Sequence, residues 1–186
     1  ISIHTMSVQY DQRTFTGMDM LRYYLLKTEP FDLNVVWNKI FKLDLFNGVV
    51  PVRFPKGRVQ EDNFTIFMLF LNANSIVTVN EPLYYYVQRA GSIMATFTRR
   101  FMIDTIESHI YMSDYLMNHC SSVKNELQLY LLNSYVELSR RVCANKCKKE
   151  YNDLLIQYKH YVLDHTADTS HNPMWKFKQY IKRLLV

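Results

Sequence analysis

The chain has 186 residues, 48% of them hydrophobic and 21% charged, with only four Gly and five Pro. That balance excludes a disordered, collagen-like or low-complexity protein and fits one globular domain, or a domain with a helical appendage. The net charge of +5 is modest, and no nucleic-acid-binding motif accompanies it, so nucleic acid is not an expected partner.

In chain order, residues 15–28 read as a helix. Met18, Leu21, Leu25 and Leu26 give its apolar stripe, and Glu29-Pro30 ends it. The segment from Val35 to Phe41 either starts a helix or crosses the core as a strand. Asn47-Gly48 marks a turn, and Pro51 to Lys56 is extended up to Gly57. Asp62 to Asn72 is so apolar that it reads as a buried helix. Ser75–Val79 and Leu83–Val87 read as two strands joined through Asn80-Glu81-Pro82. Three tyrosines, Tyr84 to Tyr86, sit in the second of these strands. On a strand at most two of them share a face. Ala90 to Thr98 is small and polar and reads as a mobile loop.

From Arg99 onward the pattern is helical. Ile103, Ile106 and Ile110 mark one helix. Leu127, Leu131, Tyr135, Leu138 and Val142 mark a second, and Tyr151, Leu154, Leu155, Tyr158 and Val162 a third. His165 to Pro173 reads as a polar linker. Met174 to Val186 then forms a short basic amphipathic helix with Lys176, Lys178, Lys182 and Arg183 around its stripe. Residues 1–100 and 101–186 are therefore expected to differ in character.

Charge, cysteine and histidine narrow the chemistry. Arg140, Arg141, Lys146, Lys148 and Lys149 form an acid-free cluster, read first as a solvated helix face. Three cysteines, Cys120, Cys143 and Cys147, show no pairing pattern; a reducing compartment and buried thiols are expected. The histidines are dispersed, and His165 and His171 read as solvated linker residues. A metal site on these side chains is not expected. The longest apolar run, Phe64 to Leu71, is too short to span a bilayer, and no secretory signal precedes it. A cytoplasmic location is expected. The chain begins at Ile1 without an initiator Met, which reads as a piece of something longer.

The residues with most chemical promise lie between Trp37 and Ser92. Glu61-Asp62 places two carboxylates at the mouth of the apolar helix, where the helix field favours the ionised form and weakens its basicity. The competing reading is that Asp62 caps the helix. Arg89, Gly91 and Ser92 form a basic Gly/Ser loop after the tyrosines, and Trp37 and Lys39 lie in the earlier segment.

Three phrases in this order carry a resemblance: V-W-N-K-I-F-K-L-D-L-F from Val36, V-R-F-P-K-G-R-V-Q-E-D-N-F from Val52, and N-E-P-L-Y-Y-Y-V-Q-R-A-G-S-I-M from Asn80. Over roughly residues 20–100 the chain resembles the second half of the nucleotide-sugar glycosyltransferases of family 2, with the GT-A fold. The resemblance implies an α/β architecture: a partial GT-A-like mixed sheet with flanking helices, then an α-helical C-terminal region. Residues 1–100 would be the acceptor-side half of the catalytic domain.

Sugar transfer with inversion requires a general base for the acceptor hydroxyl, and the resemblance assigns that role to Asp62, with Glu61 beside it. Arg89, Gly91 and Ser92 would meet the diphosphate leaving group, with Arg89 reading equally as an exposed loop residue. Lys39 would approach donor or acceptor, and Trp37 reads first as a core ring and second as a sugar platform. Many processive members carry Gln-x-x-Arg-Trp near this point. Gln88-Arg89-Ala90-Gly91-Ser92 departs from it, which implies an enzyme that adds one sugar at a time.

The family holds Mg²⁺ or Mn²⁺ on an Asp-x-Asp motif, and none occurs in this chain. The expectation is therefore an inactive C-terminal fragment of an enzyme whose substrates are a nucleotide sugar and a glycan or lipid-linked acceptor. Peripheral membrane contact through residues 174–186 and homodimerisation are further expectations. The alternative, from a different class, is a helical interaction or membrane-surface module without catalytic activity.

Overall fold

The structure, a computed structural model, describes residues 12–28, 32–48, 50–81, 83–85, 87 and 97–166. Of these, residues 12–115 fall in one compact unit and residues 116–166 in another. Helices dominate both.

The first unit opens with β1, Thr14–Phe15, which pairs antiparallel with β2, Ile76–Val77, in the register Thr14 to Val77 and Phe15 to Ile76. These two-residue strands form the one sheet among the described residues, much smaller than the expected mixed sheet. Phe15 is thus a strand residue and not the start of a helix. Helix α1 spans Gly17–Leu26. A reciprocal capping box fixes its start: the Thr16 hydroxyl accepts from the Asp19 N–H, and the Asp19 carboxylate accepts from the Thr16 N–H. The Thr16 hydroxyl, which also donates to that carboxylate at 2.6 Å, and then the Thr16 N–H hold the Asp19 carboxyl below its ordinary value, with burial opposing them.

Helix α2, Glu61–Asn72, packs against α1. Gly17 is required at this crossing. A Cβ there would lie 1.9 Å from the Phe70 carbonyl oxygen and 2.3 Å from that of Ala73, and the Gly17 N–H donates to Ala73 O at 3.1 Å. The buried face of α1 is Gly17, Met20, Leu21, Tyr24 and Leu25. Met18 and Leu26, expected on it, are only half-buried. In α2 Thr65 through Phe70 are all buried, as the unbroken apolar run implied.

Between the helices the chain is irregular. Residues 32–41 form neither helix nor strand, and a short 3₁₀ turn covers Leu43–Phe46. Arg53 binds that turn, donating to the Phe46 carbonyl (2.6 Å) and to Asn47 Oδ1 (2.9 Å). The expected strand at Leu83–Val87 does not form among its described residues 83–85 and 87. β2 pairs with β1 instead, and Tyr84 stacks on a ring of another loop.

Helix α3 spans Arg99–His119, α4 Lys124–Ala144 and α5 Lys148–His165. Its three isoleucines mark α3 only in part, since Ile103 and Ile110 are half-buried. Its buried positions also include Asp104, Thr105, Ser108, His109 and Ser113. Burial pushes the His109 imidazole down to about 3, so it sits there neutral.

In the second unit α4 and α5 pack through their predicted stripes, with Tyr135 and Tyr158 6.1 Å apart. Helix α5 runs through His165, so that histidine is not a solvated linker residue. Its ring stacks on Tyr161 at 3.9 Å and bonds the Tyr161 carbonyl. Cys143 is exposed rather than buried, and Cys120 and Cys147 are half-buried. Arg140, Lys146, Lys148 and Lys149 are exposed around the α4–α5 turn. Among the described residues no helix is long and apolar enough to cross a membrane. The expected helix at 174–186 lies outside the described residues.

Candidate functional site

The N-terminus of α2 and the loop of residues 32–39 come together around Asp62. Helix α2 begins after Gln60, whose backbone is left-handed (φ 67°) and whose side chain gives no cap bond to the helix. Asp62 is therefore already inside the first turn and does not cap it. Its Oδ2 accepts instead from the Val36 N–H at 3.1 Å, 26 residues upstream. The carboxyl is half-buried. Burial raises it above the ordinary carboxylate value and the adjacent Glu61 charge adds to the rise, while the Val36 N–H and Lys39 pull the other way. The field of the helix end was expected to weaken its basicity; the carboxyl is raised instead, with burial the largest cause. Glu61 itself is exposed.

Loop 32–39 is knit by its own polar groups. The Asp32 carboxylate accepts from the Asn34 N–H (3.1 Å), and the Asp32 carbonyl accepts from Asn38 Nδ2 (3.0 Å). The Lys39 ammonium donates to the carbonyls of Asp32 (3.0 Å) and Val35 (2.5 Å) and to Asn38 Oδ1 (2.7 Å). Three acceptors match its three donors. Burial nevertheless draws this ammonium down to about 8, against the pull of Asp32 and Asp62.

Trp37, next to Val36, is a surface ring, 39% exposed. It stacks on Tyr84, 53% exposed, with centroids 4.9 Å apart and planes 29° from parallel. The structure thus joins Asp62, Lys39 and Trp37, three of the residues singled out in the sequence, and adds Tyr84. Arg89, Gly91 and Ser92 lie outside the described residues.

A second polar group supports the first. The chain enters α2 through Gly57, Arg58, Val59 and Gln60. Asp104, on the first turns of α3, accepts from Arg58 (2.8 Å), from Arg100 Nε (2.8 Å) and from the Val59 N–H (2.8 Å). Arg58 also pairs with Glu107 and lies 5.5 Å from the centroid of Phe64 on α2. Sequence reasoning missed this cluster. Its one local signal was Arg100 and Asp104 four apart on a helix.

Among the described residues no ligand set fits the Mg²⁺ or Mn²⁺ implied by the resemblance. Among the described residues no three His, Cys, Asp or Glu side chains are grouped to hold a metal ion, and the sequence has no Asp-x-Asp.

The chain is similar over part of its length to glycosyltransferases of Streptococcus pneumoniae serotype 4. It is 43% identical to glycosyltransferase GlyG over 58 residues, which cover 31% of this chain and 18% of that protein. It is 22% identical to glycosyltransferase GlyA over 129 residues, which cover 68% of this chain and again 18% of the relative. The chain therefore spans less than a fifth of the length of either relative. No family model matches it, and no solved structure matches it at a significant level.

Proposed function

We propose that this chain forms the acceptor side of a nucleotide-sugar-dependent glycosyltransferase of the GT-A, family 2 kind, with Asp62 as the general base. The observation that carries this reading is the half-buried Asp62 carboxyl, raised by its surroundings and set beside an exposed aromatic pair. The partial similarity to glycosyltransferases supports it.

In the reaction an acceptor hydroxyl oxygen attacks the anomeric carbon of the donor sugar. The bond from that carbon to the diphosphate breaks, the nucleoside diphosphate leaves with the electron pair, and the hydroxyl proton passes to Asp62. A carboxylate with a raised pKa is the stronger base, provided it stays ionised at the working pH. Glu61 keeps a second negative charge next to it. The stacked Trp37 and Tyr84 rings offer the amphipathic surface on which the apolar face of a sugar packs. Lys39 shapes the acceptor loop by bonding its carbonyls.

Arg89, with Gly91 and Ser92, is proposed to meet the leaving diphosphate. A single transfer per encounter follows from the Gln88 to Ser92 sequence. Residues 1–100 are proposed as the acceptor half and the rest as its helical region. Donor binding is assigned to sequence outside these 186 residues, so the chain alone is expected to be inactive.

The test is Asp62→Asn in the full-length protein, which keeps shape and removes the base. Turnover should fall on the order of 10²- to 10⁴-fold. In the unsubstituted protein kcat/KM should rise with pH through an ionisation above the ordinary aspartate value, because the ionised carboxylate is the active form. Retained transfer in the variant would remove Asp62 as the base.

A further inference from the structure

We infer that Asp104 is a positioning residue for Asp62, acting from α3 through the loop that leads into α2. This inference rests on the reading of Asp62 as the base.

The loop needs an external anchor. Two of its four residues are left-handed, Gly57 (φ 72°) and Gln60 (φ 67°). For glycine that conformation costs little, but for Gln60 it is strained, and it persists only where its neighbours over-determine it. The Gln60 side chain does not stabilise the helix start through a cap bond; its Oε1 accepts from Asn63 Nδ2 at 2.8 Å.

Asp104 supplies the anchor. Its side chain is fully buried, 0% exposed, yet it stays ionised. Burial pushes the carboxyl up, and the Val59 N–H, Arg58 and Arg100 together draw it below its ordinary value. One oxygen accepts from Arg58 and the other from Val59 and Arg100. Arg100 also donates to the Gly57 carbonyl at 2.9 Å. The Asp104 carboxylate therefore holds Arg58 and Val59 directly and Gly57 through Arg100, and these are the three residues before strained Gln60. The two residues after Gln60 are Glu61 and Asp62.

The Asp62–Val36 bond tolerates only a few tenths of an ångström before it is lost. Hence the fixed loop is what brings the carboxylate to Val36. A purely structural Asp104 would change stability and leave the Asp62 environment alone, and the two roles separate on that point.

The experiment is a carboxyl-carbon NMR titration of Asp62 in the 186-residue chain, comparing wild type with Asp104→Asn. The substitution keeps the shape but turns one acceptor into a donor facing an arginine. In the folded variant Asp62 should titrate higher, because the Val36 N–H that draws it down is no longer held against it. Glu107→Gln, which leaves every bond to Asp104 in place, should not move it. Asp62 titrating unchanged in folded Asp104→Asn would overturn the inference.

If Asp104→Asn does not fold, Arg100→Gln decides. It removes the Oδ2 and Gly57 contacts of an exposed arginine, and Asp62 must shift in the same direction or the inference fails. In the full-length protein Asp104→Asn should lower kcat on the order of 10- to 100-fold with KM nearly unchanged. A shifted Asp62 titration with intact turnover would leave the positioning role standing and overturn the role of Asp62 as base.

Discussion

The helical pair of residues 116–166 and the region of residues 12–115 differ in how much they rely on polar ties, although Gln128 of α4 does donate to the His165 carbonyl of α5 at 3.2 Å. In the pair, the apolar stripes of α4 and α5 face each other, and Leu131, Tyr135, Leu138, Tyr158 and Val162 are all buried. In the earlier region single polar side chains reach distant backbone: Asp62 to Val36, Asp104 to Val59, and Asn72 to Leu45 at 2.8 Å. That region also keeps large apolar side chains at the surface, among them Trp37, Ile40, Leu43, Leu83 and Tyr85. Stripes are sufficient to make a scaffold. Isolated polar ties fix the position of particular atoms, which a site needs and a scaffold does not.

The comparison is broken most directly at Tyr158, which is completely buried between helices. Tyr158→Ala should cost roughly 3–5 kcal/mol in urea unfolding, as for other buried rings. A cost no larger than that of a surface substitution would mean that α4 and α5 are not held by their stripes.

Gly17→Ala tests the opposite region. The new methyl has no room beside two backbone carbonyls, so α1 must move from α2. A loss of roughly 1–3 kcal/mol is expected from overpacking, even though alanine is the better helix former. Unchanged or increased stability would show that the crossing is slack.

Lys39 gives the smallest and most specific effect. Burial draws its ammonium down to about 8 when folded, against an ordinary value of 10.5. Between those values the unfolded chain holds a proton that the folded chain has released, so stability rises with pH across that window; below it the burial cost is fully present. The urea midpoint of wild type relative to Lys39→Met should therefore increase from pH 7.5 to pH 9.5. A flat difference would mean the ammonium is solvated and the loop is not built around it.

How far the sequence speaks follows the same division. The stripes of α4 and α5 were legible because each helix buries one apolar face, and only Leu154 of those named is less than buried. Helix α3 was legible in extent but not in face, since hydropathy scores Asp104, Ser108 and His109 as wet while the fold buries them. Phe15 was assigned to the helix although Thr16 and Asp19 spell a capping box that starts it two residues later, at Gly17. The tyrosine segment looked like a strand by composition, but β2 takes β1 as its partner. Asp62 was singled out through the phrase around it. The Asp104 cluster was not, because a lone aspartate 42 positions downstream leaves no periodic trace.

The spacing of those ties also orders events during synthesis. Val59 and Arg58 find their anchor 45 and 46 residues later in the chain, so a ribosome must release the start of α3 before the loop ahead of α2 can settle. Closing a loop of that length is slow compared with coiling a helix. The α1–α2 crossing can form on the nascent chain well before then. The loop ahead of α2 is therefore the late-maturing part of its unit, settling only after the helix that carries Asp104 has joined the fold.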